Sequence, residues 1–204
     1  MTVQLMPSLC YEDQAWALAD ADWECFRGLV PKSSDFGFET CTEHTASWGG
    51  RVDHFAVING MLKLLECEVH LAPGFEQFKP PEGLGRRDVT RQSWGSVRQG
   101  DGNWKKVLLT HESTYIEFEN CDIPYTGTLI GGRHLRISQL TVGYQHANRF
   151  EQRLILEFKA GVHLVEASRL EFGSCSDDFS DTETSIRHNL MKRILNCSGF
   201  TEKA

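Results

Sequence analysis

An Asn-Gly pair between two apolar segments constrains this fold more than any other feature of the sequence. Asn59-Gly60 separates the segments 51–58 and 61–71, which are both rich in large apolar residues. A tight two-residue hairpin turn needs positive φ at both central positions, and Asn and Gly tolerate that conformation well. The sequence therefore predicts a β-hairpin with strands at 51–58 and 61–71.

Further short apolar segments follow, and some of them show the period-two alternation that is typical of strands. We expect these strands at 107–109, 114–119, 125–130, 135–144, 149–158 and 162–171. Turns are predicted at Lys159-Ala160-Gly161 and at Gly131-Gly132-Arg133. The chain is therefore expected to be one mainly β domain, an antiparallel meander or a sandwich- or barrel-like sheet with its core at 45–172.

Helices are predicted at the two ends of the chain. Within 11–28, large apolar residues recur at helical spacing, namely Trp16, Ala19, Trp23 and Phe26, and Gly28 would follow the last helical residue. Near the C-terminus, Ser180 and Glu183 have the spacing of a capping box. An apolar stripe follows that box, so we expect a C-terminal helix over 180–198.

The segment 73–103 is predicted to be a long loop, because Pro and Gly interrupt it repeatedly. A loop of this length in a compact domain is usually functional or mobile. Alternatively, it is a solvated connector in which Phe75, Phe78 and Trp94 cover the edge of the core. Its basic residues are candidates for binding an anionic group.

Composition limits the possible functions. The chain has 204 residues and a net charge of −7, which does not favour general binding to nucleic acid or to anionic membranes. No apolar run approaches the roughly 20 residues of a membrane helix, and the N-terminus lacks the features of a secretory signal. We therefore expect a cytoplasmic protein with a basic protein partner, and a homo-oligomer stays open.

No pattern in the sequence indicates a reaction centre. The seven Cys contain no CxxC pair, and the eight His contain no closely spaced metal-binding pair. A nucleophile elbow is absent as well. We therefore expect no cofactor, no metal and no identifiable catalytic residue. The candidate binding residues are Trp48, Arg86, Arg87, Arg91, Trp94, Arg98, Tyr144 and His146.

Several motifs in 48–172 are similar to those of an uncharacterised bacterial β-rich domain family. They are Ser47-Trp48-Gly49-Gly50-Arg51-Val52, Tyr125-Thr126-Gly127-Thr128-Leu129, Val142-Gly143-Tyr144 and the Glu- and Leu-rich segment 150–158. The chain departs from the family pattern at Gly49-Gly50 and in the long segment 73–103. The resemblance implies a small cytosolic protein of the immunity type, which neutralises a bacterial toxin.

Three functional hypotheses follow from these observations. The first is a non-enzymatic protein-binding module, in its sharpest form an immunity protein whose acidic surface meets a basic toxin. The second is a small hydrolase that acts on an anionic substrate beneath 73–103, held by Arg86, Arg87, Arg91 and Arg98. The third is a structural or oligomeric scaffold without a small ligand.

Overall fold

The computed structural model describes residues 5–42, 50–100, 102–136 and 145–172. In these residues the protein is mainly β, as predicted, with ten strands in one mixed sheet and one short α-helix. The strands are β1 (Ser8–Tyr11), β2 (Gln14–Ala21), β3 (Arg51–Ile58), β4 (Met61–Val69), β5 (Leu84–Arg98), β6 (Trp104–Asp122), β7 (Gly127–Leu135), β8 (Phe150–Lys159), β9 (Val162–His163) and β10 (Arg169–Phe172). The helix α1 spans Trp23–Leu29, and short 3-10 turns lie at Ser33–Phe36, Ala147–Arg149 and Val165–Ala167.

The Asn-Gly hairpin is confirmed. β3 and β4 pair in antiparallel register, and Asn59 and Gly60 have φ values of 52° and 74°. The predicted turn between β8 and β9 is also present, since Ala160 and Gly161 have φ values of 50° and 82°. At both positions a pair of left-handed residues allows two strands to reverse direction within two residues.

Strand β9 closes part of the sheet into a ring. The sheet runs in the order β10-β8-β7-β2-β1-β3-β4-β6-β5, and β9 pairs with both β4 and β8. The strands β8, β7, β2, β1, β3, β4 and β9 therefore form a closed series of hydrogen-bonded pairs, with β1 and β3 parallel. The strand order departs from a simple meander, because β1 and β2 lie between β3 and β7.

The main hydrophobic core lies on one face of this sheet, here called the inner face. Phe55 of β3, Leu64 of β4 and Ile116 of β6 are buried there. Helix α1 covers part of this face through Phe26, whose ring makes edge contacts with Phe55 and Tyr125 at centroid distances of 5.1 and 5.2 Å. Burial of such large aromatic side chains supplies much of the free energy that orders the sheet.

The predicted N-terminal helix over 11–28 is largely wrong. Residues 14–21 form strand β2, and only Trp23–Leu29 is helical. Trp16 and Leu18 are both buried, two residues apart, which is the spacing of a strand face. Asp22 ends the strand and caps the helix, since its carboxylate accepts a hydrogen bond from the backbone N–H of Cys25 at 3.2 Å.

The prediction of a loop over 73–103 is also wrong for its second half. Residues 84–98 form the 15-residue strand β5, which pairs along its whole length with β6. The predicted strands at 107–109 and 114–119 are parts of that single 19-residue β6. The glycines of this segment favour a break in regular structure. Gly85 and Gly95 nevertheless lie within β5, where an added Cβ would run into the side chains of Glu117 and Leu109 of β6, respectively. A glycine within a strand often marks such a close approach.

Gly131 and Gly132 lie inside strand β7, so the turn predicted there is wrong. A Cβ on Gly131 would come within 2.8 Å of the Cβ of Trp16, and a Cβ on Gly132 would overlap the ring of Phe150. The two glycines therefore admit large aromatic side chains on opposite faces of the strand. The packing of distant residues, and not a reversal of the chain, accounts for this Gly-Gly pair.

Three other predictions have different outcomes. The segment 162–171 holds two short strands, β9 and β10, separated by a 3-10 turn. Strand β7 ends at Leu135, and most of the strand expected over 135–144 lies outside the described residues. The C-terminal helix expected over 180–198 also lies outside them. No helix in the described ranges has the length and apolar character needed to cross a membrane.

Candidate functional site

The β5–β6 ribbon, defined here as residues 89–113, extends beyond the rest of the sheet. The last pair between β4 and β6 is Val69 with Thr114, whereas β5 and β6 continue to pair from Val89 with Ser113 to Arg98 with Trp104. At about 3.3 Å per residue, these ten paired positions reach roughly 30 Å. Within residues 89–113, β5 and β6 pair only with each other among the described strands.

One face of the ribbon presents large apolar side chains to solvent. Trp94 lies directly opposite Leu108, and Trp104 lies four residues farther along β6, opposite the backbone of Arg98. These side chains are 60%, 47% and 71% exposed for Trp94, Leu108 and Trp104. Lys106 lies between Trp104 and Leu108 along β6, and its Nζ is 5.5 Å from the centre of the Trp94 ring on β5. An exposed apolar patch with a charged neighbour is typical of an interaction surface.

A cluster of polar side chains fixes the base of the ribbon to the body of the sheet. It lies on the face opposite the main core, around the buried side chain of Tyr115. Arg91 Nη2 donates a hydrogen bond to the Tyr115 hydroxyl at 2.7 Å, and the Arg87 guanidinium lies 4.5 Å from the centre of the Tyr115 ring. Two of the predicted binding residues therefore meet at one site.

The same Arg87 links three strands. Its Nη2 donates to Glu66 of β4 at 2.6 Å, and its Nε donates to Glu117 of β6 at 2.7 Å. These bonds are partly solvent-exposed, so each contributes little free energy by itself. They join β5 to both β6 and β4 just before the ribbon begins.

The buried carboxylate of Glu68 lies at the centre of this cluster. It accepts a hydrogen bond from the Ser113 hydroxyl at 2.6 Å and another from the Tyr115 hydroxyl at 2.9 Å. Burial and the adjacent Glu68 charge raise the pKa of Tyr115 above its ordinary value, so the phenol stays protonated as a donor. These two hydrogen bonds join β4 to β6 and order the two strands.

His54 extends the cluster to the N-terminal strand. Its ring stacks on that of Tyr115 at 6.3 Å, and its Nδ1 is 2.7 Å from the Ser8 hydroxyl. Burial is the main reason that the pKa of His54 falls to about 4, and the positive charges of Arg91 and Arg87 lower it further. The imidazole is therefore neutral at pH 7. A Ser-His contact alone does not make a nucleophilic site, because both residues are buried.

The structure assigns different surroundings to the remaining predicted residues. The Arg86 guanidinium donates to the carbonyl oxygens of Glu76 and Phe78, both at 2.9 Å, on the face opposite Arg87. Arg98 is the last residue of β5, and the exposed His146 precedes a 3-10 turn. Trp48 and Tyr144 lie outside the described residues.

No group of three or more potential metal ligands occurs within the described ranges. Cys121 lies near the end of β6. Burial raises the pKa of its thiol, which makes the reactive thiolate less available at neutral pH.

A pocket on the inner face was not predicted from the sequence. It has a volume of about 410 Å³ and lies beside α1, at the end of β3 away from the Asn-Gly turn. Arg27, Lys32 and Arg51 contribute positive charges to its lining, and Asp53 contributes one carboxylate. In the sequence, the only signal for this pocket is that the charged residues Arg51 and Asp53 alternate with the apolar Val52. The same pattern is found on solvent-exposed strand faces, so it does not distinguish a charged pocket from such a face.

Comparisons with known proteins add no assignment. No family model, no curated protein and no solved structure matches this chain. The similarity to a bacterial β-rich family therefore stays a prediction from the motifs, and function has to be argued from the geometry alone.

Proposed function

We propose that this chain is a non-enzymatic protein-binding module whose contact element is the β5–β6 ribbon. The exposure of Trp94, Trp104 and Leu108 on one face of that ribbon carries the proposal. Tryptophan is enriched among the residues that dominate binding energy at interfaces, because it buries a large area at a small cost in side-chain entropy. A two-stranded ribbon is also marginally stable alone, so cover by a partner would stabilise it.

Charge indicates the kind of surface that the ribbon would contact. The ribbon contains four basic residues, Arg91, Arg98, Lys105 and Lys106, and two acidic residues, Asp101 and Glu112. This excess is opposite in sign to the net charge of −7 of the whole chain. We therefore propose a partner protein with an apolar patch bordered by carboxylates, since complementary charge accelerates association and favours the correct partner.

The expected basic partner was inferred from the charge of the whole chain and would have to meet a different, acidic part of the surface. The immunity role and the toxin partner stay predictions on the same footing. The hydrolase alternative gains no support from the arginines expected to hold its substrate. Arg86 is engaged by two carbonyl oxygens, and Arg87 is engaged by two carboxylates.

The test compares ribbon variants with the wild type in binding to one defined partner. Proteins captured with the intact chain would be identified, and a candidate would be purified for calorimetric titration. We expect the double substitution W94S/W104S to weaken binding at least tenfold, and K105E/K106E to weaken it and reduce its salt dependence. A matched control is L164S/V165S, which replaces two exposed apolar residues outside the ribbon.

Two results would overturn the proposal. The first is unchanged affinity of every purified partner for W94S/W104S. The second is that light scattering shows a dimer for the wild type and a monomer for W94S/W104S. The ribbon would then contact a second copy of this chain and not a different protein. W94S/W104S and K105E/K106E should both fold normally, because the substituted side chains are mainly exposed.

A further inference from the structure

The pocket beside α1 has the composition of a site for a small organic anion. Its polar lining includes the basic residues Arg27, Lys32 and Arg51, together with Ser33 and Thr40. Its apolar lining includes Phe26, Phe55 and Val30. The volume of about 410 Å³ lies in the range of roughly 300–1,000 Å³ that is usual for small-molecule sites.

Arg51 is held in a fixed position in the wall of this pocket. Its Nε donates to Asp53 at 2.6 Å, and its Nη1 donates to the carbonyl oxygen of Pro31 at 2.8 Å. Only 12% of its side chain is exposed. These contacts keep the plane of the guanidinium in one orientation, so little entropy would be lost when a planar anion pairs with it.

The third nitrogen of this guanidinium is unsatisfied. Arg51 Nη2 is buried and has no hydrogen-bond partner among the described residues. A buried donor without a partner costs about 1–3 kcal/mol, so such groups are rare and require an explanation. Nη2 is not accessible in this structure, and Nη1 also donates to the Ser33 hydroxyl at 3.4 Å. A carboxylate would therefore pair with the guanidinium by replacing Ser33 at Nη1, or would reach Nη2 after a small movement of the pocket wall.

The balance of charge selects the sign of the ligand. Among the described residues that line the pocket, Asp53 alone is a carboxylate, and it is already paired with Arg51. Lys32 and Arg27 are exposed and lie at the rim, where they would attract an anion. Val30 and Pro31 are the partly exposed apolar residues of the lining beside the buried rings of Phe26 and Phe55, so they would contact an apolar group of the ligand.

We propose that this pocket binds a small carboxylic acid with an apolar body, with the carboxylate at Arg51 and Lys32 and the apolar part against Val30 and Pro31. This inference is independent of the function proposed for the ribbon, because the two sites share no residue. It assigns the protein a small ligand as well as a protein partner.

The test uses the full chain and two matched pairs of probes, octanoate with octanamide and benzoate with benzamide. Binding would be followed by ligand-observed nuclear magnetic resonance and by isothermal titration. We expect saturable binding of at least one acid, at least tenfold tighter than binding of its neutral amide. K32Q should weaken that binding severalfold, whereas K159Q, an exposed lysine on β8 outside the pocket lining, should leave it unchanged.

Two further variants separate the pocket from the rest of the surface. V30W would fill the cavity and abolish binding without changing any charge. R51K would keep the charge but lose the planar fork, and a tenfold or greater loss of affinity is expected. If R51K does not fold, V30W and K32Q still decide the question. Any one of three results would overturn the proposal. Neither acid binds saturably at concentrations up to about 10 mM, acid and amide bind equally, or V30W binds like the wild type.

Discussion

The Tyr115 hydroxyl donates a hydrogen bond to the buried carboxylate of Glu68 at 2.9 Å and accepts one from Arg91 at 2.7 Å. One oxygen atom thus joins a residue of the ribbon to the central strand β4. The contact therefore connects the ribbon, which exposes apolar side chains, to the body of the sheet, which buries them.

Removal of this hydroxyl should destabilise the protein. In Y115F, Glu68 would lose one of its two hydroxyl donors, and Arg91 would lose its hydrogen bond to the Tyr115 hydroxyl. We expect a loss of about 1–3 kcal/mol in the free energy of unfolding, because hydrogen bonds to buried charged groups exceed neutral ones in strength. Urea denaturation measures the loss, and Y11F at a partly exposed tyrosine is the control. A change below about 0.5 kcal/mol would contradict the assigned network.

Stability should fall at mildly acidic pH because of His54. The pKa of its imidazole is about 4 in the folded protein, against an ordinary value of 6.5. Between these values the unfolded chain binds a proton that the folded protein does not bind, so stability decreases as the pH is lowered from 6.5 towards 4. The loss from this residue would approach about 3 kcal/mol at the acidic limit.

The variant H54Q isolates this contribution. Its unfolding free energy should fall by about 2 kcal/mol less than that of the wild type between pH 7 and pH 5. H146Q, at an exposed histidine, is the control for loss of one histidine from the chain. Parallel pH profiles for H54Q and the wild type would show that His54 does not carry the effect.

A methyl group on Gly132 should be poorly tolerated. The Cβ in G132A would overlap the ring of Phe150, which is buried in the smaller apolar cluster with Ala19 and Leu135. We expect a loss of about 1–3 kcal/mol in thermal or chemical denaturation, as is usual for overpacked cores. The control is G100A, where an added Cβ meets nothing within 4 Å. A second-site change, F150L, should recover part of the loss if overlap with this ring is its cause.

The Asn-Gly turn should be sensitive to backbone conformation and not to space. A Cβ at Gly60 would meet no atom within 4 Å, but the φ value of 74° is unfavourable for alanine. G60A should therefore cost about 1–2 kcal/mol. Its control is G28A within α1, which also lies in open space but lacks positive φ, and this substitution should be neutral or stabilising by up to about 1 kcal/mol. Equal effects of the two substitutions in urea denaturation would refute this account.

Two residues of the polar cluster are predictable from the sequence. Arg87 and Arg91 were candidates because they are basic residues in an acidic chain, and the structure brings both to Tyr115. Glu68, Ser113 and His54 gave no signal of their own, since their roles depend on which strands become neighbours. The pocket residues Arg51 and Asp53 were missed for the same reason.

The sequence by itself determined the mainly β class and the turns at Asn59-Gly60 and Ala160-Gly161, because the φ preferences that specify such turns are properties of adjacent residues. Tertiary structure decided that 84–98 is a strand, that Gly131 and Gly132 lie within β7, and that β9 joins β4 to β8. Each of these features depends on a side chain or strand distant in sequence, such as Trp16, Phe150 or β6. That side chain packs against the position, or that strand pairs with it. Nonlocal burial outweighed local propensity at these positions, as it commonly does in sheets.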